Sequence, residues 1–132
     1  GVRSVNKGQN VIFSPADFLY FDQQYVTSKE EYGHTWAGPT DTKEVYSYQP
    51  LHPSIKAINM QYVKGVHACL WSETALTEKI ADYLMWPRTL AFSEVAWGSN
   101  KEKSWIHFKV FSLPKGLERL KAQNINFRGL TP

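Results

Sequence analysis

Residues 66–73 read Val66-His67-Ala68-Cys69-Leu70-Trp71-Ser72-Glu73, an apolar, β-competent run that stops at an aromatic residue and an acid two positions apart. In an extended segment the side chains at i and i+2 leave the same face, so Trp71 and Glu73 are expected side by side where the strand ends. An indole packs on the C–H-rich face of a pyranose ring, and a carboxylate accepts hydrogen bonds from the hydroxyls beside it. That pair suits a sugar. Taken alone, the tripeptide also reads as a buried tryptophan and a solvated glutamate opening the next helix.

An upstream echo adds weight to the sugar reading. Asn10-Val11-Ile12-Phe13-Ser14 is a second short apolar run, bounded by Pro15, and Tyr20-Phe21-Asp22 follows it. Two strands, at about 10–14 and 65–71, then each deliver an aromatic-x-acid pair with helical sequence behind it. This predicts an α/β chain, a βαβα unit with its site at the carboxyl edge of a parallel sheet.

The 132 residues suffice for one domain with a core and are too few for two ordinary ones. Hydrophobic residues at 42% and charged residues at 20% point to a globular, soluble chain, and five Trp with seven Tyr supply the rings that carbohydrate sites use. The net charge of +3 is small and dispersed, and the densest basic stretch, Lys101–Lys103, contains a Glu. Nucleic acid is therefore not expected as a partner. Cys69, the single cysteine, reads as a small core residue and excludes an internal disulfide. No apolar run is long enough for a bilayer and no signal peptide is seen, so no membrane partner is expected. The sequence opens at Gly1 without a Met, as a processed or excised piece would.

Along the chain, residues 1–9 read as a lead-in. Gln23 to Thr40 is a long polar loop holding Tyr25, Tyr32, His34 and Trp36, and loops of that length tend to be functional. Asp41-x-x-Glu44 has the form of a capping box before a brief helix that ends by Pro50. Leu51 to Lys64 reads as irregular. Ile80, Leu84, Leu90, Ala91 and Val95 then recur at helical spacing, with Pro87 starting a new helix and Gly98 at its C-cap. A last helical region runs from Lys103 to Leu120, with Trp105, Phe108, Leu117 and Leu120 inward and Pro114 interrupting it. His34, His52, His67 and His107 lack metal-ligand spacing, so neither a metal nor a cofactor is expected.

Four motifs, in order, resemble those of the β-N-acetylhexosaminidases, family 20 of the glycoside hydrolases. Tyr20-Phe21-Asp22 resembles the family's Tyr-Leu-Asp, and Leu70-Trp71-Ser72-Glu73 its Leu-Trp-Thr/Ser-Glu. Trp86-Pro87-Arg88, with Ala91, Glu94 and Trp97, is similar to its Phe-Pro-Arg helix, and Trp105 to Arg128 to the closing helix of its catalytic domain. The resemblance implies the C-terminal βαβα portion of a (β/α)8 TIM barrel, the last two β/α units, incomplete as an isolated chain. It also implies a substrate-assisted retaining mechanism, in which the 2-acetamido oxygen attacks the anomeric carbon. The family's general acid is the Glu of an Asp-Glu pair, and the sequence holds no such dipeptide, so the chain alone is expected to be inactive.

By the same resemblance, Tyr20 would donate to the acetamido oxygen, Asp22 accept from the 6-hydroxyl, and Glu73 accept from the 4- and 6-hydroxyls. Trp71 would floor the pocket and Trp36 would stand near the sugar. The plainer roles are a core tyrosine, a loop-capping aspartate, and a tryptophan pinning its loop. Arg88, Glu94 and Trp97 read as structural, through packing and paired charges. Implied partners are N-acetylglucosamine- or N-acetylgalactosamine-containing glycans and the missing N-terminal part of the barrel, or else self-association. The implied parent protein is periplasmic or secreted. Two other functions fit the residues: a non-catalytic carbohydrate-binding module, and a small conventional glycosidase using Asp22 and Glu73 as acid and nucleophile. The resemblance argues against the second.

Overall fold

The computed structural model describes residues 1–98 and 103–129. Lys101 and Glu102, from the densest basic stretch, lie outside them. Two strands pair in parallel, β1 (Val11–Phe13) and β2 (Val63–Val66). Both are shorter than the sequence runs, and β2 begins earlier than residue 65. Val11 pairs with Val63 but Ile12 with Gly65, so one extra residue of β2 is accommodated between them. Gly65 has φ +149, a conformation that side chains disfavour, and this lets the ladder resume in step after the irregularity.

Extended pairing continues beyond the named strands. His67 N donates to Phe13 O at 2.8 Å, Cys69 N to Leu19 O at 2.9 Å, and Phe21 N to Cys69 O at 2.7 Å. Between these partners the first segment loops out through a one-turn helix, α2 (Ala16–Leu19). Its last turn returns Tyr20 to a parallel bridge with Cys69. Tyr20 therefore stands at the sheet edge although seven positions separate it from the end of β1.

Side-chain alternation sorts the sheet. Leu19 and Phe21 are buried in a core with Val45, Tyr46, Ala91, Phe108 and Leu113, and Val66, Ala68 and Leu70 pack against it. Residues 67, 69 and 71 accordingly face the other side, with Tyr20. That second face is open at Ile12, which is 63% exposed.

The helical layer follows the hydrophobic spacing. Helix α3 (Thr42–Ser47) opens on the expected capping box: Asp41 Oδ1 accepts from Glu44 N–H at 2.8 Å, and Glu44 Oε2 from Asp41 N–H at 2.7 Å. Helices α4 (Glu78–Met85) and α5 (Arg88–Trp97) are separated at a cis Trp86–Pro87 peptide, with Pro87 as N-cap and Gly98 as C-cap of α5. Leu84, Ala91 and Val95 are buried, whereas Ile80 and Leu90 are half-buried. Trp97, expected to pack, is 90% exposed.

Three other expectations are corrected. Residues 1–9 contain a helix, α1 (Val2–Asn6), which buries Val5 and is tied by Asn6 to Ser54, Lys56 and Asn59. Within the stretch read as irregular, Ala57–Tyr62 is a 3-10 helix leading into β2. Finally, the last helical region is continuous: α6 (Trp105–His107), a π-helical turn (Phe108–Ser112) and α7 (Leu113–Ala122). Pro114 sits in the first turn of α7, and the wider turn ahead of it moves aside the carbonyl that a proline ring would strike. Of the four residues expected inward, Phe108 and Leu120 are buried and Trp105 and Leu117 half-buried.

Candidate functional site

Three of the five candidate residues are brought together as rings. Tyr20 lies edge-on to Trp36, with centroids 5.9 Å apart and an interplanar angle of 86°. It is tilted against Trp71 at 6.4 Å and 53°. Tyr20 is half-buried, whereas Trp36 and Trp71 are 65% and 52% exposed. Apolar rings left in water at the carboxyl ends of parallel strands form a surface fit for a ring-shaped ligand.

Asp22, two positions after Tyr20, is treated quite differently. It is 1% exposed. Its Oδ2 accepts from Gln23 Nε2 at 3.2 Å, while its Oδ1 is buried with no protein partner. Buried polar atoms are rarely left unmatched, so Oδ1 retains the capacity to accept from one further donor. Glu73 is exposed. The extended path ends at Trp71, and Ser72–Glu73 form a turn in which Ala75 N–H reaches Ser72 O at 3.1 Å. Strand alternation thus does not set the direction of Glu73, although the sequence argument assumed it would.

The long loop is positioned backbone to backbone. His34 N donates to Asp22 O at 2.7 Å, Gln24 N to His34 O at 2.9 Å, and Thr40 N to Gln24 O at 2.8 Å. The crossing is so close that a Cβ on Gly33, whose φ is +111, would fall 2.7 Å from Asp22 O. Farther out, Glu31 accepts from Tyr83 Oη and pairs with Arg128 at 3.3 Å. These ties hold the loop that carries Trp36.

Behind the site lies Arg88, which is fully buried. Its guanidinium donates to the carbonyls of Gln23 (2.8 Å), Thr40 (3.1 Å), Phe21 and Leu84, and lies 3.8 Å from the centroid of Tyr25. Read from sequence as a partner in paired charges, it instead bonds to backbone oxygens. Burial pushes its pKa down, and the nearby Tyr25, Asp22 and Glu31 oppose that shift. The Tyr25 hydroxyl donates to Leu84 O at 3.3 Å. Burial raises its pKa to about 12, against the opposing Arg88 and Arg128 charges.

Sequence reading missed Gln23 and Gly33. Gln23 is fully buried and also accepts from Ala37 N–H at 3.1 Å. No local pattern marks it, because its second partner lies fourteen positions away across a loop. A cavity of about 280 Å³ lies elsewhere, lined by residues that include Tyr25, Lys43, Trp105, Lys109 and Arg128. Among the described residues, no cluster of three or more His, Cys, Asp or Glu could hold a metal ion. No described helix is long and apolar enough to cross a membrane.

Residues 1–100 match the profile of the glycosyl hydrolase family 20 catalytic domain. The chain is 34% identical over 109 residues to a β-hexosaminidase of Vibrio vulnificus, covering 70% of this chain and 13% of that protein. It is 30% identical over 107 residues to a β-N-acetylhexosaminidase of Cellulomonas fimi, covering 81% of this chain and 21% of that protein. The chain thus spans about a fifth or less of these curated relatives. Among solved structures it resembles a family 20 exo-β-N-acetylglucosaminidase of Vibrio harveyi in complex with N-acetylglucosamine. The TM-score is 0.87 at 28% identity, covering 97% of this chain and 20% of that one.

Proposed function

The chain belongs to glycosyl hydrolase family 20, and from that premise we propose that it forms one wall of a β-N-acetylhexosaminidase site that removes terminal non-reducing N-acetylhexosamine residues. On this reading β1 and β2 are neighbouring staves of a (β/α)8 barrel, whose chemistry sits at the carboxyl ends of its strands. One observation supports it above the others: the rings of Tyr20, Trp36 and Trp71 converge there, and Asp22, two positions after Tyr20, has a buried Oδ1 without a hydrogen-bond partner.

In this reading the sugar packs on Trp71, with Trp36 as a second wall and Asp22 Oδ1 accepting from the 6-hydroxyl. Glu73 accepts from the 4- and 6-hydroxyls, which its exposed turn leaves it free to do. Tyr20 donates to the acetamido carbonyl oxygen as that oxygen attacks the anomeric carbon and the oxazolinium forms. A donor already aimed at developing charge stabilises the transition state more than the ground state. The general acid and the carboxylate that orients the acetamido group come from outside this sequence, which has no Asp-Glu pair. Each strand has one hydrogen-bonded neighbour among the described residues. The remaining edges therefore pair with the rest of the barrel, or with a second copy when the chain is isolated.

In the complete barrel, Tyr20→Phe is expected to lower kcat about 100-fold with little change in KM. An unchanged kcat would remove Tyr20 from the chemistry. The isolated chain is expected to show no hydrolysis of an aryl N-acetylglucosaminide and no binding of N-acetylglucosamine by calorimetry. Measurable binding without hydrolysis would instead favour a carbohydrate-binding module.

A further inference from the structure

Asp22 has a fixed backbone and a side chain with a single tether. Its own carbonyl accepts from His34 N–H, and the carbonyls on either side of it, Phe21 and Gln23, accept from Arg88. Among the described residues the one donor to its carboxylate is Gln23 Nε2, at 3.2 Å. The other end of that amide is also engaged, since Gln23 Oε1 accepts from Ala37 N–H at 3.1 Å. A backbone N–H can only donate, so the amide cannot turn over: its oxygen is committed to Ala37 and its nitrogen to Asp22. Ala37 immediately follows Trp36.

We propose that Gln23 is a positioning residue that fixes the Asp22 carboxylate rotamer and couples it to the Trp36 loop, so that Asp22 Oδ1 is held ready for the sugar's 6-hydroxyl. The inference rests on Asp22 accepting from that hydroxyl, as proposed above. Arg88 does not take over the task, because its N–H groups are directed at carbonyls. Among the described residues, Gln23 alone is left to hold the carboxylate. Without it, Asp22 can rotate, and Oδ1 no longer faces one fixed place. Contacts to the rest of the sugar, through Tyr20 and Trp71, do not depend on this latch.

The test compares kcat/KM for an aryl N-acetylglucosaminide with that for its 6-deoxy analogue, using the complete barrel. The wild type is expected to prefer the 6-hydroxy substrate by at least about tenfold. Asp22→Ala should abolish that preference. Gln23→Met, of similar length and without polar atoms, is expected to cut the preference about tenfold, while any effect carried through the Trp36 loop falls on both substrates alike and cancels in the ratio. Gln23→Glu keeps an acceptor for Ala37 N–H but sets a second carboxylate against Asp22, and should reduce the preference at neutral pH at least as far. Should the Met variant fail to fold, the Glu variant gives the same comparison of the two substrates. A fall of both substrates by one factor in the Gln23 variants, or an undiminished preference, would overturn the positioning role and leave the reading of Asp22 intact. A wild type indifferent to the 6-hydroxyl would refute the Asp22 reading, and the role of Gln23 with it.

Discussion

Arg88 and the aromatic mouth approach the segment Phe21–Gln23 in different ways, and they use their polar groups oppositely. At Arg88, donors meet acceptors: the guanidinium bonds to four backbone carbonyls and lies against the ring of Tyr25. At the mouth, two tryptophans stand largely in water and a buried carboxylate oxygen has no partner. The same backbone therefore serves as a scaffold on one flank and an unfilled surface on the other. Polar groups are matched on the Arg88 flank, and an unmatched one is left on the flank where the proposed ligand would complete it.

The sharpest way to break this contrast is to remove the scaffold. Arg88→Met leaves the Phe21, Gln23 and Thr40 carbonyls without their donor, and is expected to cost at least about 4 kcal/mol of stability in chemical denaturation. A loss below about 1 kcal/mol would mean that those carbonyls find water instead.

A smaller effect comes from Tyr25 in the same cluster. Its pKa in the fold, about 12, lies above the ordinary value of 10, so the fold favours the neutral phenol. Its contribution is therefore fully present below about pH 10 and is lost as pH rises through 12, by roughly 2–3 kcal/mol. Denaturation midpoints against pH, compared with Tyr25→Phe, would isolate that term; parallel curves would contradict it.

The smallest effect on stability is expected at the mouth. Trp71→Ala should change stability by no more than about 0.5 kcal/mol while raising KM severalfold. A large stability loss would make Trp71 part of the scaffold and erase the distinction between the two flanks.

How much of this was legible in the sequence depends on how local each feature is. The capping box at Asp41 and Glu44 needs four residues, and it formed as read. The parallel pairing of the two apolar runs followed from their composition and from the helical sequence between them. Helix α1 has no side-chain cap and owes its place to Val5 burial and to contacts with residues 54–59, which no local pattern announces. Tyr20 and Trp71 stand out by their motifs and Trp36 only by the family resemblance, and the structure sets Tyr20 beside each of the two tryptophans. For Glu73 strand alternation does not apply, because Ser72 turns the chain before alternation can act. Arg88 was visible as a residue, but its partners lie up to 67 positions away, so its task was not. Gln23 was hidden for the same reason: its meaning lies in the crossing of a loop whose path other residues fix.

On the proposed function, the strand ends around Tyr20 hold a hexosamine. A crystal structure of the complete barrel with N-acetylglucosamine tests it most directly. The pyranose ring is expected against Trp71, the acetamido oxygen within hydrogen-bond reach of Tyr20 Oη, and the 6-hydroxyl on Asp22 Oδ1. A sugar bound elsewhere, with Asp22 Oδ1 still unpartnered and Trp71 still bare, would contradict it.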